Sequence, residues 1–214
     1  MIEIIPGILE KDFAEIEKKI ALVEDLVDWV HIDILDDTLI HNATYNNWEP
    51  FKIFSGRVYL EAHLMVQNPQ QYVNSLVSVG FKRLIAQVES NDFRHFMEEA
   101  KIHEVEVGVA LDGSSQLELI EPFLGEIDYA LVMMYKAGQS GQSFQSEQLP
   151  KIRKIHEEYQ NLPIEVDGGI DKDTAPLVIT SGATRLVSTS YLFWKNADRI
   201  AEAIEELKTG IAIQ

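Results

Sequence analysis

Cysteine is absent from the 214 residues, so disulfides, thiolate nucleophiles and thiolate metal ligands are excluded. That absence suits a reducing compartment, and a cytoplasmic location is the expectation. Positive charge is scarce: 18 Lys and Arg stand against 35 Asp and Glu, a formal net charge of -17. Such a surface repels polyanions, which argues against nucleic-acid and anionic-membrane partners. Long apolar runs are missing too. No stretch approaches the roughly 20 residues of a membrane span, and the opening "MIEIIPGILEKDF" has neither the basic nor the apolar part of a signal peptide. Glycine is thin after the first apolar run, where "PGILEKD" holds only one. A doubly wound dinucleotide-binding sheet would place a glycine-rich turn there.

What is present is a recurring alternation of short apolar runs with longer amphipathic ones, in a chain that is 46% hydrophobic. Strand-like runs fall at 2–8, 28–35, 58–65, 83–89, 106–112, 129–134, 163–168 and 185–190. Helical spacing fills the gaps: Phe13, Ile16, Ile20 and Val23 predict a helix over 12–26, and further helices are expected near 49–56 and at 69–79, 92–104, 116–124, 147–159, 173–181 and 197–208. Asn68 and Asn196 stand where N-caps would. Eight strand and helix units in a little over 200 residues predict a single (β/α)8 TIM barrel spanning 1–214, an α/β fold with its active site at the C-terminal strand ends.

The stretch "HIDILDD" (31–37) then gains meaning. Side chains alternate along a strand, so His31 and Asp33 point into the same interior. His63 ends the third strand and Asp167 the seventh, at equivalent depth in a barrel. Two imidazoles and two carboxylates suit a divalent ion such as Zn²⁺, Fe²⁺, Mn²⁺ or Co²⁺. Small residues follow the later strands, in "KAGQSGQSF" (136–144), "DGGI" (167–170) and "STSY" (188–191). In barrels, backbone N–H groups after strands seven and eight commonly hold a phosphate. The candidate phosphate contacts are Gly138, Gln139, Ser140, Gly141, Gly168, Gly169, Thr189 and Ser190, with Lys136 as the cation of these loops. Met65 and Met133 are further candidates for the site. A metal flanked by Asp33 and Asp167 suits proton removal beside a carbonyl and proton return from the opposite face, which is epimerisation.

These residues also carry a resemblance. From "PGILEKDF" through "HIDILDD", "EAHLMV", "VMMYKAGQSGQSF", "LPKIRKI" and "IEVDGGI" to "STSYLF", the chain resembles the ribulose-phosphate 3-epimerase family over nearly its whole length. The resemblance implies a (β/α)8 barrel that interconverts D-ribulose 5-phosphate and D-xylulose 5-phosphate with one divalent metal per chain, often zinc. It implies His31, Asp33, His63 and Asp167 as metal ligands, with Asp33 and Asp167 doubling as the acid-base pair. The chain also departs from the family pattern. Gly7 stands where the family usually has a Ser that contacts substrate, and Leu35 where it has Met. Asp36-Asp37 replaces Asp-Gly, His41 replaces Pro, Gly138-Gln139-Ser140-Gly141 replaces Gly-Phe-Gly-Gly, and Thr189-Ser190 replaces Gly-Ser.

Other readings are a Schiff-base aldolase using Lys136, an epimerase of another ketose phosphate such as a hexulose 6-phosphate, and a sugar-phosphate-binding barrel that keeps the metal without turnover. Sister barrels with an Asp-x-Lys-x-x-Asp strand are disfavoured, because "DILDD" has no Lys. The expected partner is a phosphorylated ketose, and self-association into a homo-oligomer is compatible with the sequence.

Overall fold

The computed structural model describes residues 2–135 and 143–209. Eight parallel strands close into a barrel in chain order: β1 (Glu3–Ile8), β2 (Trp29–Ile34), β3 (Tyr59–Leu64), β4 (Phe81–Gln87), β5 (Glu106–Leu111), β6 (Tyr129–Met133), β7 (Ile164–Asp167) and β8 (Arg185–Ser188). Around them lie α1 (Phe13–Val23), α2 (Val73–Ser78), α3 (Phe93–Lys101), α4 (Leu149–Glu158), α5 (Ala175–Thr180) and α6 (Ile200–Thr209). This is the (β/α)8 barrel that the alternation predicts. No helix among the described residues is long and apolar enough to cross a membrane.

The strand alternation sorts residues into two cores. Val30, Ile32 and Ile34 of β2 join the apolar layer between barrel and helices, while His31 and Asp33 turn inward. Helices bury one stripe each against that layer, as α1 does with Ile16, Ile20 and Val23, and Asp12 caps α1 by accepting from Ala14 N–H. The barrel interior has its own apolar cluster of Leu35, Met65, Ile85, Ala110, Tyr129, Leu131, Met133 and Tyr135.

Three local expectations are corrected. The helix expected over 116–124 is only a 3-10 turn at Leu117–Leu119. Pro122 lacks an N–H and its ring collides with the carbonyl four residues back, so the spacing of Leu117, Ile120 and Leu124 cannot wind further. Neither Asn caps a helix as expected. Asn68 makes no capping bond and instead accepts from Asn91. The last helix begins at Ile200, and Asn196 donates to the Tyr191 carbonyl, closing the turn Tyr191–Lys195 that follows β8.

Candidate active site

Parallel pairing sets the depth of each inward side chain. Asp33 lies in register with His63, Met133 with Asp167, and Gly7 with His31. His31, Asp33, His63 and Asp167 therefore meet near the C-terminal mouth, all buried, each offering an atom within 4.8 Å of the others. Asp33 Oδ1 is the hub, 3.2 Å from His31 Nε2 and 3.1 Å from His63 Nδ1. The end of β2 is pinned by Thr44, whose hydroxyl donates to the Asp33 carbonyl and accepts from Leu35 N–H.

Beneath this layer, alternation brings in residues that the sequence reading passed over. Glu61, two residues before His63, accepts from His31 Nδ1 at 2.6 Å, and Glu165, two before Asp167, stands 3.5 Å from the same nitrogen. Gln87 of β4 places Nε2 3.0 Å from His63 Nε2 and 2.9 Å from Met133 Sδ. At the barrel floor, Arg83 and Arg185 each pair with both Glu3 and Glu106 at 3.0–3.2 Å, and Arg83 lies 3.6 Å from Glu61. The guanidinium of Arg83 also stacks 3.5 Å over the Trp29 ring. A column of alternating charge thus runs from floor to mouth.

The column separates the two mouth carboxylates. Burial pushes the Asp33 carboxyl up, but His31 and His63 outweigh burial and hold it below the usual carboxylate range. Asp167 is pushed up to about 7, by burial first and then by the charge of Asp33. Near neutral pH one is therefore ionised while the other readily holds a proton, the arrangement of an acid and a base. Burial works against the His31 proton, yet Asp33 and hydrogen bonds to Asp33, Glu165 and Glu61 raise its proton affinity well above the ordinary value. Burial lowers that of His63.

The donor set is compatible with a divalent cation. With Gln87 Nε2 donating, His63 carries its proton on Nδ1, toward Asp33. Gln87 Oε1 is left buried without a partner among the described residues. Turning the amide over would let Oε1 accept from His63 Nε2 and free His63 Nδ1 as a ligand. The orphaned oxygen is thus what a metal-binding tautomer of His63 would use.

Beside the cluster, Gly168 and Gly169 both have positive φ, 120° and 65°, as the turn after β7 requires. Gly169 and Ser190 line a cavity of about 500 Å³ together with Ser143, Thr174, Trp194 and Lys195. Lys195, missed in the sequence reading, sits 3.9 Å from Asp171 there. Gly168 and Thr189 do not line it. Gly168 packs toward the Tyr135 ring and Thr189 toward Gly7. Leu35, Met65 and Met133 share the interior apolar cluster with Tyr135. Lys136, Gly138, Gln139, Ser140 and Gly141 lie outside the described residues.

The sequence matches the ribulose-phosphate 3 epimerase family over residues 3–193. The chain belongs to that family. It is 33% identical to the ribulose-phosphate 3-epimerase of Bacillus subtilis, across 97% of this chain and 99% of that protein. Identity to the Schizosaccharomyces pombe ribulose-phosphate 3-epimerase is 30%, across 98% of this chain and 93% of that one. Among solved structures, a 3-hexulose-6-phosphate synthase superposes with a TM-score of 0.72 at 18% identity, covering 99% of this chain and 100% of that one. The 3-hexulose-6-phosphate synthase from Salmonella typhimurium gives 0.75 at 15%, covering 98% of each chain. Those two likenesses concern the fold alone. As a member of the epimerase family, the chain is an isomerase-class enzyme acting on a ketose phosphate.

Proposed function

We propose that this epimerase inverts C3 of D-ribulose 5-phosphate to give D-xylulose 5-phosphate, with one divalent ion, zinc first among the candidates, held by His31, Asp33, His63 and Asp167. The observation that supports it most is geometric: two carboxylates, from β2 and β7, reach one buried point beside two imidazoles. A bound ion would supply positive charge to the C2 oxygen as C3 loses its proton. Ionised Asp33 takes that proton from one face of the sugar. Protonated Asp167 returns one to the other face, and the roles exchange in the reverse direction.

The other residues position and shield. Glu61 and Gln87 orient the two imidazoles. Leu35, Met65, Met133 and Tyr135 keep the apolar wall dry, which strengthens every charge interaction inside it. The phosphate belongs in the cavity of about 500 Å³, against Gly169, Ser190 and Lys195. Gly168 shapes the turn that leads there. From the sequence alone, Gly138, Gln139, Ser140, Gly141 and Lys136 stay among our candidates for that subsite.

The test is conversion of D-ribulose 5-phosphate, beside a panel including a hexulose 6-phosphate, by wild type, Asp33→Asn and Asp167→Asn, with metal content measured in each sample. Asn is nearly isosteric but a poor proton acceptor. Each variant should lose about 10²–10⁴-fold in kcat while retaining its fold. Near-normal turnover in either variant would remove that carboxylate from the mechanism.

A further inference from the structure

Three consecutive residues at the end of β8 face three different tasks. Ser188 is buried and donates its hydroxyl to the Ile170 carbonyl at 2.9 Å, a structural bond. Ser190 lines the cavity assigned to the phosphate. Between them, Thr189 is half-buried, and its hydroxyl makes no hydrogen bond with any described residue. Its backbone is fixed, because the Thr189 carbonyl accepts from Phe193 N–H at 2.9 Å in the turn that leaves the strand.

The place of that hydroxyl is defined by Gly7. A Cβ on Gly7 would lie 2.4 Å from Thr189 Oγ1 and 2.8 Å from Val187 Cγ1. Position 7 is in register with His31 on the neighbouring strand, about 4.8 Å away at ordinary strand spacing. The Thr189 oxygen therefore occupies the room that a side chain from position 7 would take, beside the imidazole of the cluster. Two side chains cannot share that room. The Gly at 7 and the Thr at 189, two separate departures in the sequence, are one steric exchange in the barrel.

Resting on the ketose-phosphate reading above, we propose that Thr189 is a specificity-determining residue whose hydroxyl, delivered from β8 over Gly7, hydrogen-bonds a hydroxyl of the bound sugar phosphate. The β-branched side chain has few rotamers, so the oxygen is presented in a set direction. Gly7 serves as the vacancy that admits it. Thr189 thus acts at the sugar, while Ser190 and Gly169 act at the phosphate.

The experiment compares wild type, Thr189→Val, Thr189→Ser, Gly7→Ser and the double variant Gly7→Ser/Thr189→Gly. Each is assayed for kcat and KM with D-ribulose 5-phosphate and for thermal unfolding without it. Thr189→Val keeps the shape and loses the hydroxyl, so kcat/KM should fall roughly tenfold with an unchanged melting temperature. Thr189→Ser should recover most of the loss. Gly7→Ser alone should lower both melting temperature and activity through its clash, and the double variant should recover both beyond the sum of the single effects. Wild-type kcat/KM in Thr189→Val overturns the contact, and additive behaviour of the double variant overturns the exchange. A wild-type protein that neither binds nor converts D-ribulose 5-phosphate would instead fail the substrate reading, and the proposal with it.

Discussion

His31 meets a different carboxylate at each ring nitrogen, Asp33 at Nε2 and Glu61 at Nδ1. A proton held on Nδ1 by Glu61 leaves Nε2 free to face the cluster, so Glu61 acts on the site through His31. Glu61→Gln should therefore weaken divalent-ion affinity by about 10–100-fold, read by competition against a chromophoric chelator. An unchanged affinity would mean that the imidazole is oriented without it. The four mouth residues were legible in the sequence because each sits at the C-terminal end of a recognisable strand. Glu61, Glu165 and Gln87 obey the same two-residue alternation but lie deeper or on a strand with no imidazole or carboxylate of its own. A buried carboxylate there is tolerable only with partners, and Arg83 and Arg185 arrive from β4 and β8, far away in sequence.

Among the elements, the segment after β2 shows how a local departure is absorbed. Asp37 has φ of 66°, in the left-handed region, next to the antiparallel bridge between Asp36 and Ala43. The backbone shape that a glycine would take freely is kept here without a glycine. Asp enters this region more readily than most residues, at a cost of about 1 kcal/mol. Asp37→Gly should accordingly raise stability by about 0.5–1 kcal/mol in urea unfolding, less the extra chain entropy of glycine. A destabilised variant would indicate that the Asp37 side chain contributes more than its backbone costs. Strands and helices were readable wherever their period ran uninterrupted. The segment 116–124 was not, because its apolar spacing is helical while Pro122 forbids the helix. The loops after β7 and β8 were legible as composition only, since glycine and serine announce a turn without saying which atoms would face a ligand. In the folded chain Gly169 and Ser190 share one cavity, while Gly168 packs toward the Tyr135 ring and Thr189 toward Gly7.

Across the whole molecule, the metal-free barrel carries an electrostatic cost set by its buried acids. Asp167 and Glu165 are each raised to about 7 in the fold, from ordinary values of 3.8 and 4.5. For a raised group the stability contribution is full below the unfolded value and disappears as pH rises through the folded one. The raised His31 adds a contribution of the same sign. Asp33, lowered by His31 and His63, contributes in the opposite sense and loses its share only in acid. Metal-free protein should thus lose stability between about pH 4 and pH 7. A divalent ion competes with these protons for the cluster, so its stabilisation should be smaller near pH 5 than above pH 7. Melting curves with and without Zn²⁺ across that range check both slopes. An ion-induced shift independent of pH would show that protons and metal do not compete for this cluster.

Solvent isotope directly reads the proposed exchange of the C3 proton by two carboxylates on opposite faces of the sugar. In D₂O, with the divalent ion supplied, D-ribulose 5-phosphate should give D-xylulose 5-phosphate carrying one deuterium at C3, while substrate recovered early stays largely unlabelled. The proton that Asp33 removes is then a different one from the proton that Asp167 delivers. Product formed without deuterium would mean that the same proton returns, which a two-carboxylate inversion does not allow.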